Sequence, residues 1–271
     1  MGTKLAGFTV IETVLFIAIS GLMMIMMITG TAVTLNNQRY NDSVRSFQSL
    51  VQEQYAKLIS TENDRLVDRP CGLDGAALPQ EDTSSTQQRG QSRCEIFGRY
   101  MAIEGSDITI FPVLVYRVES QKPASGSDVD LMRDVAYMQI GVDTGLAETA
   151  SLEWGAEIAW PSSGSGARSP TTPRSVALLF VRSPDSGQVY TFASDTVVSN
   201  PANMNSEVIR SMIVAGDLAP GQAAQALCVN SGGMTFANMS SVYVNAFSSG
   251  PSSIETRTND YFQLIGSDIR C

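Results

Sequence analysis

Histidine is absent from all 271 residues. Ser-His-Asp and Cys-His nucleophile pairs, and every zinc site with an imidazole ligand, therefore lack a necessary member. Basic residues are also scarce: 18 Lys and Arg stand against 27 Asp and Glu, for a formal charge of −9. That balance argues against general affinity for nucleic acid, because phosphate neutralisation needs clustered basic side chains. The four cysteines, Cys71, Cys94, Cys228 and Cys271, form no C-x-x-C pair, so zinc-ribbon and thioredoxin-type chemistry lack their signature. No Gly-rich phosphate loop or dinucleotide fingerprint occurs. Asp128-Val129-Asp130 lacks the remaining ligand spacing of an EF-hand and reads as a solvated turn. The other carboxylates are scattered, without a recognisable acid/base dyad. No enzymatic activity, metal or cofactor is expected from this inventory.

Charge is scarcest near the N-terminus, where Glu12 is the only charged side chain between Lys4 and Arg39. The uncharged stretch Thr13 to Leu35, about 23 residues, would rise roughly 35 Å as a helix and could cross a bilayer's hydrocarbon core. Lys4 before it keeps the start of the chain cytoplasmic and exports the remainder, although Arg39 and Arg45 on the far side run against that bias. An ordinary secretory signal with a small-x-small site at Gly30-Thr31-Ala32 is the competing reading. It leaves Glu12 unexplained. A carboxylate inside a hydrophobic segment costs roughly 3 kcal/mol, so a partner or a function is the default expectation.

The segment Gly7-Phe8-Thr9-Val10-Ile11-Glu12 and the apolar run after it resemble the prepilin signature of type IV pilins and pseudopilins. The resemblance covers about the first 30 residues, with Gly21, Ala18 and Ile19 fitting the usual composition. It departs at Thr29-Gly30, where many pilins carry a proline. It implies that a prepilin peptidase cuts between Gly7 and Phe8 and methylates the new amine. It also implies that Glu12 meets the N-terminal amine of a neighbouring subunit as the helix leaves lipid at an inner-membrane assembly platform. The partners so implied are other pilin subunits, the peptidase and membrane lipid. The implied location is single-pass in the cytoplasmic membrane with the head outside, then a cell-surface pilus.

Beyond the apolar run, Tyr40, Val44, Phe47, Val51, Tyr55 and Leu58 recur at spacings of three or four, which predicts that one helix continues to about Ser60 with an apolar face. The expected organisation is a leader (1–7), a transmembrane and assembly helix (8–35), its amphipathic continuation (36–60) and a β-rich extracytoplasmic head (61–271). The fold class is α+β: a long N-terminal helix packed on an antiparallel sheet, like a pilin.

Strands are expected at Glu95 to Ile103 and Ile108 to Val118, joined by a Gly-Ser turn. Others are expected at Val135 to Ile140, Leu152 to Trp160, Ser175 to Arg182, Val189 to Ala193, Ala226 to Val229 and Ser241 to Phe247. Ser206 to Val214 suggests a short helix, and Asn259 to Cys271 is either helix or strand. The Ser/Gly/Pro-rich stretch Pro161 to Pro173 reads as a long loop within one sheet, with an interdomain linker as the alternative.

Pairing Cys71 with Cys94 and Cys228 with Cys271 is favoured because each pair brackets one segment, and four buried thiols are the alternative. Arg89, Arg93 and Arg99 could contact an acidic ligand such as DNA or be ordinary surface charge. Trp154, Trp160 and Phe247 could mark a contact surface or core. The leading functional expectation is a structural subunit, a minor pilin acting in adhesion, motility or uptake. The alternatives are a pseudopilin of a type II-like secretion system and a membrane-anchored binding module that never polymerises.

Overall fold

A computed structural model describes residues 9–60, 95–162, 172–213, 225–231, 239–245, 248–264 and 271. The chain divides into two compact units, residues 1–42 and 43–271. Helix α1, Val10–Ile59, contributes to both. Apolar side chains on all sides of its first half, interrupted by a few hydroxyls and Glu12, and an apolar stripe along its second suit it to two surroundings. The first half exposes its side chains from Val10 through Leu35, whereas Val44, Phe47, Val51, Tyr55 and Leu58 in the second unit are buried.

Among its described residues the second unit carries ten strands in two antiparallel sheets. The larger contains β1 (Glu95–Glu104), β2 (Asp107–Arg117), β3 (Met138–Val142), β6 (Ser175–Arg182) and β7 (Val189–Ser194) in the order β3-β2-β1-β6-β7, with β4 (Glu148–Ser151) also pairing with β2. The smaller contains β5 (Glu157–Ala159), β8 (Gln225–Asn230), β9 (Ser240–Val244) and β10 (Ile254–Thr258) in the order β10-β9-β8-β5. The single sheet expected from sequence is thus two sheets, and β5 and β6 belong to different ones. The chain still folds back between them: Trp160 N–H donates to Thr172 O at 3.1 Å and Arg174 N–H to Ile158 O at 2.8 Å. Residues 163–171, most of the stretch expected to be a long loop, lie outside the described residues.

The larger sheet is buried on both faces, so β1 is buried continuously from Phe97 to Ile103 rather than alternately. One face, with Tyr100, Ala102, Phe111, Val113, Leu179 and Phe192, packs against α2 (Asp128–Arg133) and α3 (Ser206–Met212) through Met132, Ile209 and Met212. The opposite face receives the second half of α1, where the Tyr55 ring lies 4.7 Å from that of Phe180.

The Asp128-Val129-Asp130 stretch expected to be a turn is instead the first turn of α2. Ser127 and Asp130 form a reciprocal capping box there, so these carboxylates serve a helix N-terminus. Strand expectations for Ser175 to Arg182 and the β1–β2 hairpin match β6, β1 and β2. The strand expected over Leu152 to Trp160 shrinks to β5, and β4 and β10 are additional. Asn259 to Leu264 is helical (α4). Cys228 of β8 is joined to Cys271 by a disulfide with Cα atoms 5.4 Å apart, whereas Cys71 and Cys94 lie outside the described residues.

Candidate functional site

The first half of α1 is the most unusual surface of the described chain. It is long and apolar enough to cross a bilayer, with a mean hydropathy of 2.3 in its most apolar stretch and none of that stretch buried. A core helix of a water-soluble protein would be largely covered. The few polar side chains in this half are silenced by the helix itself. Ser20 donates to Phe16 O at 2.6 Å, Thr29 to Ile25 O at 3.0 Å, Thr31 to Met27 O at 3.0 Å and Thr34 to Gly30 O at 3.0 Å. Each hydroxyl thereby finds an acceptor without water.

Glu12 is the exception. Thr9 opens the helix, its hydroxyl accepting the Glu12 backbone N–H at 3.4 Å and its carbonyl the Thr13 N–H at 3.2 Å. The Thr-x-x-Glu spacing is that of a capping box. Only the backbone half of it forms: the Glu12 carboxylate is exposed among Val10, Ile11, Val14 and Leu15 and has no hydrogen bond or ion pair among the described residues. A carboxylate with apolar neighbours and no cation beside it among the described residues is suited to accept one from elsewhere. Gly7 and Phe8, the expected processing residues, lie outside the described residues.

The second half of α1 is fastened to the head by polar as well as apolar contacts. Gln48 donates to Ile254 O at 3.0 Å, and Gln52 to Pro251 O at 3.2 Å, holding the start of β10. The Tyr55 hydroxyl lies 2.6 Å from Thr191 Oγ1 and donates to Ser248 Oγ at 2.9 Å. Burial pushes this phenol up to about 12, the two hydroxyl contacts opposing but not cancelling the effect. At the end of the helix, Lys57 Nζ meets Glu148 Oε2 at 2.9 Å and Glu53 Oε1 at 3.0 Å, while Arg99 meets Glu148 Oε1 at 2.9 Å. Burial raises the Glu148 carboxyl, but hydrogen bonds from Lys57 and Arg99 outweigh it and leave the group below the usual carboxylate range.

Arg99, expected as a candidate ligand contact, is therefore a buried structural cation, 3% exposed. Its companions Arg89 and Arg93 lie outside the described residues, as does Phe247. Trp160 packs over Arg174, whose guanidinium carbon is 4.5 Å from the ring centroid. Trp154 is half-exposed. Sequence reasoning placed Tyr55 only on an apolar stripe. The signal for its polar role was its hydroxyl, which needs a partner when buried. Glu148 had no local signal, because the two cations that claim it are distant in sequence.

The first unit thus offers a lipid-compatible surface with one exposed carboxylate, and the second a β-rich head to which its own segment of α1 is fastened. No family model matches the chain, and neither a curated protein nor a solved structure resembles it significantly.

Proposed function

We propose that this protein is a filament subunit of the type IV pilin kind, a minor pilin held in the cytoplasmic membrane by the first half of α1 until it assembles. The observation that carries the reading is the exposed apolar surface from Val10 to Leu35 with a single unpartnered carboxylate, Glu12, near its start. Cleavage between Gly7 and Phe8 would create an ammonium about one helical turn from Glu12. Within one helix, both charges remain close to lipid. A neighbouring subunit that brings its own ammonium to Glu12 lowers the energy of both groups, so docking in the correct register is favoured over lateral escape into lipid. The second half of α1 belongs to the head, clamped to its larger sheet through Tyr55 and Lys57.

Mass spectrometry of the mature N-terminus tests processing. N-methyl-Phe8 is the expected species, and an intact leader or a start near Val33 overturns the reading. Glu12→Val tests assembly: the variant is expected to be processed and membrane-inserted but depleted at least tenfold from sheared filaments, in line with the roughly 2 kcal/mol or more of a partly desolvated ion pair. Normal incorporation of Glu12→Val would remove the role assigned to this carboxylate.

A further inference from the structure

The methionines of the described chain fall into two groups by exposure. In the head, Met101, Met132, Met138, Met204 and Met212 are buried, and Met239 is partly buried. In the first half of α1, Met23, Met24, Met26 and Met27 are between 59% and 71% exposed. These four fill all but one of the positions in Met23-Met24-Ile25-Met26-Met27, and at 3.6 residues per turn they fan across roughly 160° of the helix circumference. They also lie near the middle of the apolar run, roughly 15 Å along the axis from Thr13 and roughly 12 Å from Leu35.

An aliphatic side chain would suit lipid as well. What methionine adds is chemistry, because its sulfur is open to two-electron oxidants whereas Leu22, Ile25 and Ile28 beside it offer only C–H bonds. Hydrogen peroxide is small and uncharged, so it enters a hydrocarbon region that ions avoid. A sulfur lone pair attacks one peroxide oxygen: the S–O bond forms, the O–O bond breaks, and the departing oxygen takes up the proton left on the transferred one. One thioether and one peroxide thus give one sulfoxide and one water, with sulfur oxidised by two electrons and peroxide reduced by two.

The product alters the helix surface at a depth where polarity is most costly. A sulfoxide is polar and chiral, and its oxygen calls for a hydrogen-bond donor. The backbone N–H groups here are committed to the helix, and the hydroxyls of Ser20, Thr29 and Thr31 to its carbonyls. New acceptors in this belt therefore go unsatisfied in an apolar setting and spoil close packing of one helix on another.

We propose that Met23, Met24, Met26 and Met27 form a peroxide-sensitive site of α1, and that conversion of their thioethers to sulfoxides withholds the subunit from the filament. The inference rests on the filament reading above, since the packing it disturbs is that of α1 against neighbouring subunits. Return to the thioether requires sulfoxide reductases, one for each epimer.

Two measurements test the site and its consequence. The full chain in dodecyl maltoside micelles is treated with hydrogen peroxide, and each methionine is followed by peptide mass spectrometry. Met23, Met24, Met26 and Met27 are expected to form sulfoxide about tenfold faster than Met101, Met132 and Met138, because oxidation follows exposure; similar rates would overturn the site. For the consequence, cells are sheared free of filaments, exposed to peroxide, quenched with catalase and left to regrow them. Sulfoxide at these four positions is expected to be about fivefold scarcer in the protein from new filaments than in that from the membrane fraction of the same cells. The combined M23L, M24L, M26L and M27L variant keeps the apolar surface without the sulfur, and it should reach its untreated level in regrown filaments while wild type falls short. Equal sulfoxide fractions in the two pools, or an equal shortfall of the combined variant, would overturn the proposal and leave the filament reading intact. Absence of the protein from filaments without any peroxide would overturn the filament reading, and this regulation with it.

Discussion

At Gly98 the β1 backbone runs so close to β6 that a Cβ would lie 2.4 Å from Phe180 O and 2.7 Å from Val181 Cγ1. The β1–β2 register shifts between Ile96 and Gly98, and the strand can bend there only because nothing projects from that carbon. Gly98→Ala is therefore expected to destabilise the head by about 1–3 kcal/mol through overpacking, measured as a lower midpoint in urea with an unchanged m-value. An unchanged midpoint would mean that β6 can shift to admit the methyl group. The close approach could not be inferred from local sequence, because it depends on residues of β6, Phe180 and Val181, that are distant in the chain. Glu12 was conspicuous for the opposite reason: a lone charge in an apolar run is visible without knowing any tertiary contact. What the structure adds at Glu12 is that the helix start satisfies its backbone N–H and that its carboxylate has no partner among the described residues.

On the scale of elements, the end of α1 is held by a carboxylate between two cations, and this makes the attachment sensitive to acid. Glu148 is depressed in the folded state, against the upward push of burial, by hydrogen bonds from Lys57 and Arg99. A depressed carboxyl contributes stability that is fully present above its unfolded pKa, about 4.3, and is lost as pH falls through the lower folded value. Glu148→Gln should thus lower Tm at pH 7, by an amount corresponding to about 1 kcal/mol after allowance for the partial exposure of Glu148. The gap from wild type should begin to narrow as pH falls below about 4.3, where the unfolded chain takes up the proton, and should close as pH falls through the lower folded value. A gap equally wide at pH 7 and pH 3 would show that the amide disturbs packing rather than charge.

The same scale separates what the sequence announces from what it conceals. The spacing of Val44, Phe47, Val51, Tyr55 and Leu58 identifies the buried stripe of α1 because helical periodicity is local. The runs in β1, β2 and β6 are rich enough in Ile, Val and Phe to be recognised as strands. β4 (ETAS) and β10 (IETRT) are short and polar, and they are strands because β2 and β9 pair with them. Assignment of strands to two sheets was hidden for the same reason: pairing partners are chosen over long separations. The cap of α2 was more accessible, since Ser127-x-x-Asp130 has the spacing of a box but carries aspartate where glutamate or glutamine is usual.

For the whole molecule, the charge is distributed so that the two forces acting on a filament should respond differently to salt. Of the charged side chains, only Glu12 falls between Lys4 and Arg39, so the net −9 resides almost entirely outside the apolar half of α1. If subunits assemble as proposed, their acidic heads are brought together and repel one another, and salt screens exposed charges over about 8 Å at physiological ionic strength. The pairing of Glu12 with an incoming ammonium would occur in an apolar setting where mobile ions have little access, so added salt should scarcely weaken it. The apolar packing of the helices is strengthened, if anything, by a kosmotropic salt. Wild-type filaments should therefore become more resistant to dissociation as sodium sulfate rises from about 0.05 to 0.5 M, a span over which the Debye length contracts severalfold. Glu12→Val should not be restored by the same treatment, because screening relieves head repulsion without supplying the missing partner. Sedimentation of sheared filaments across the salt series measures both outcomes. Dissociation of wild-type filaments by salt would mean that attraction between exposed charges on the heads, rather than contacts along α1, holds neighbouring subunits together.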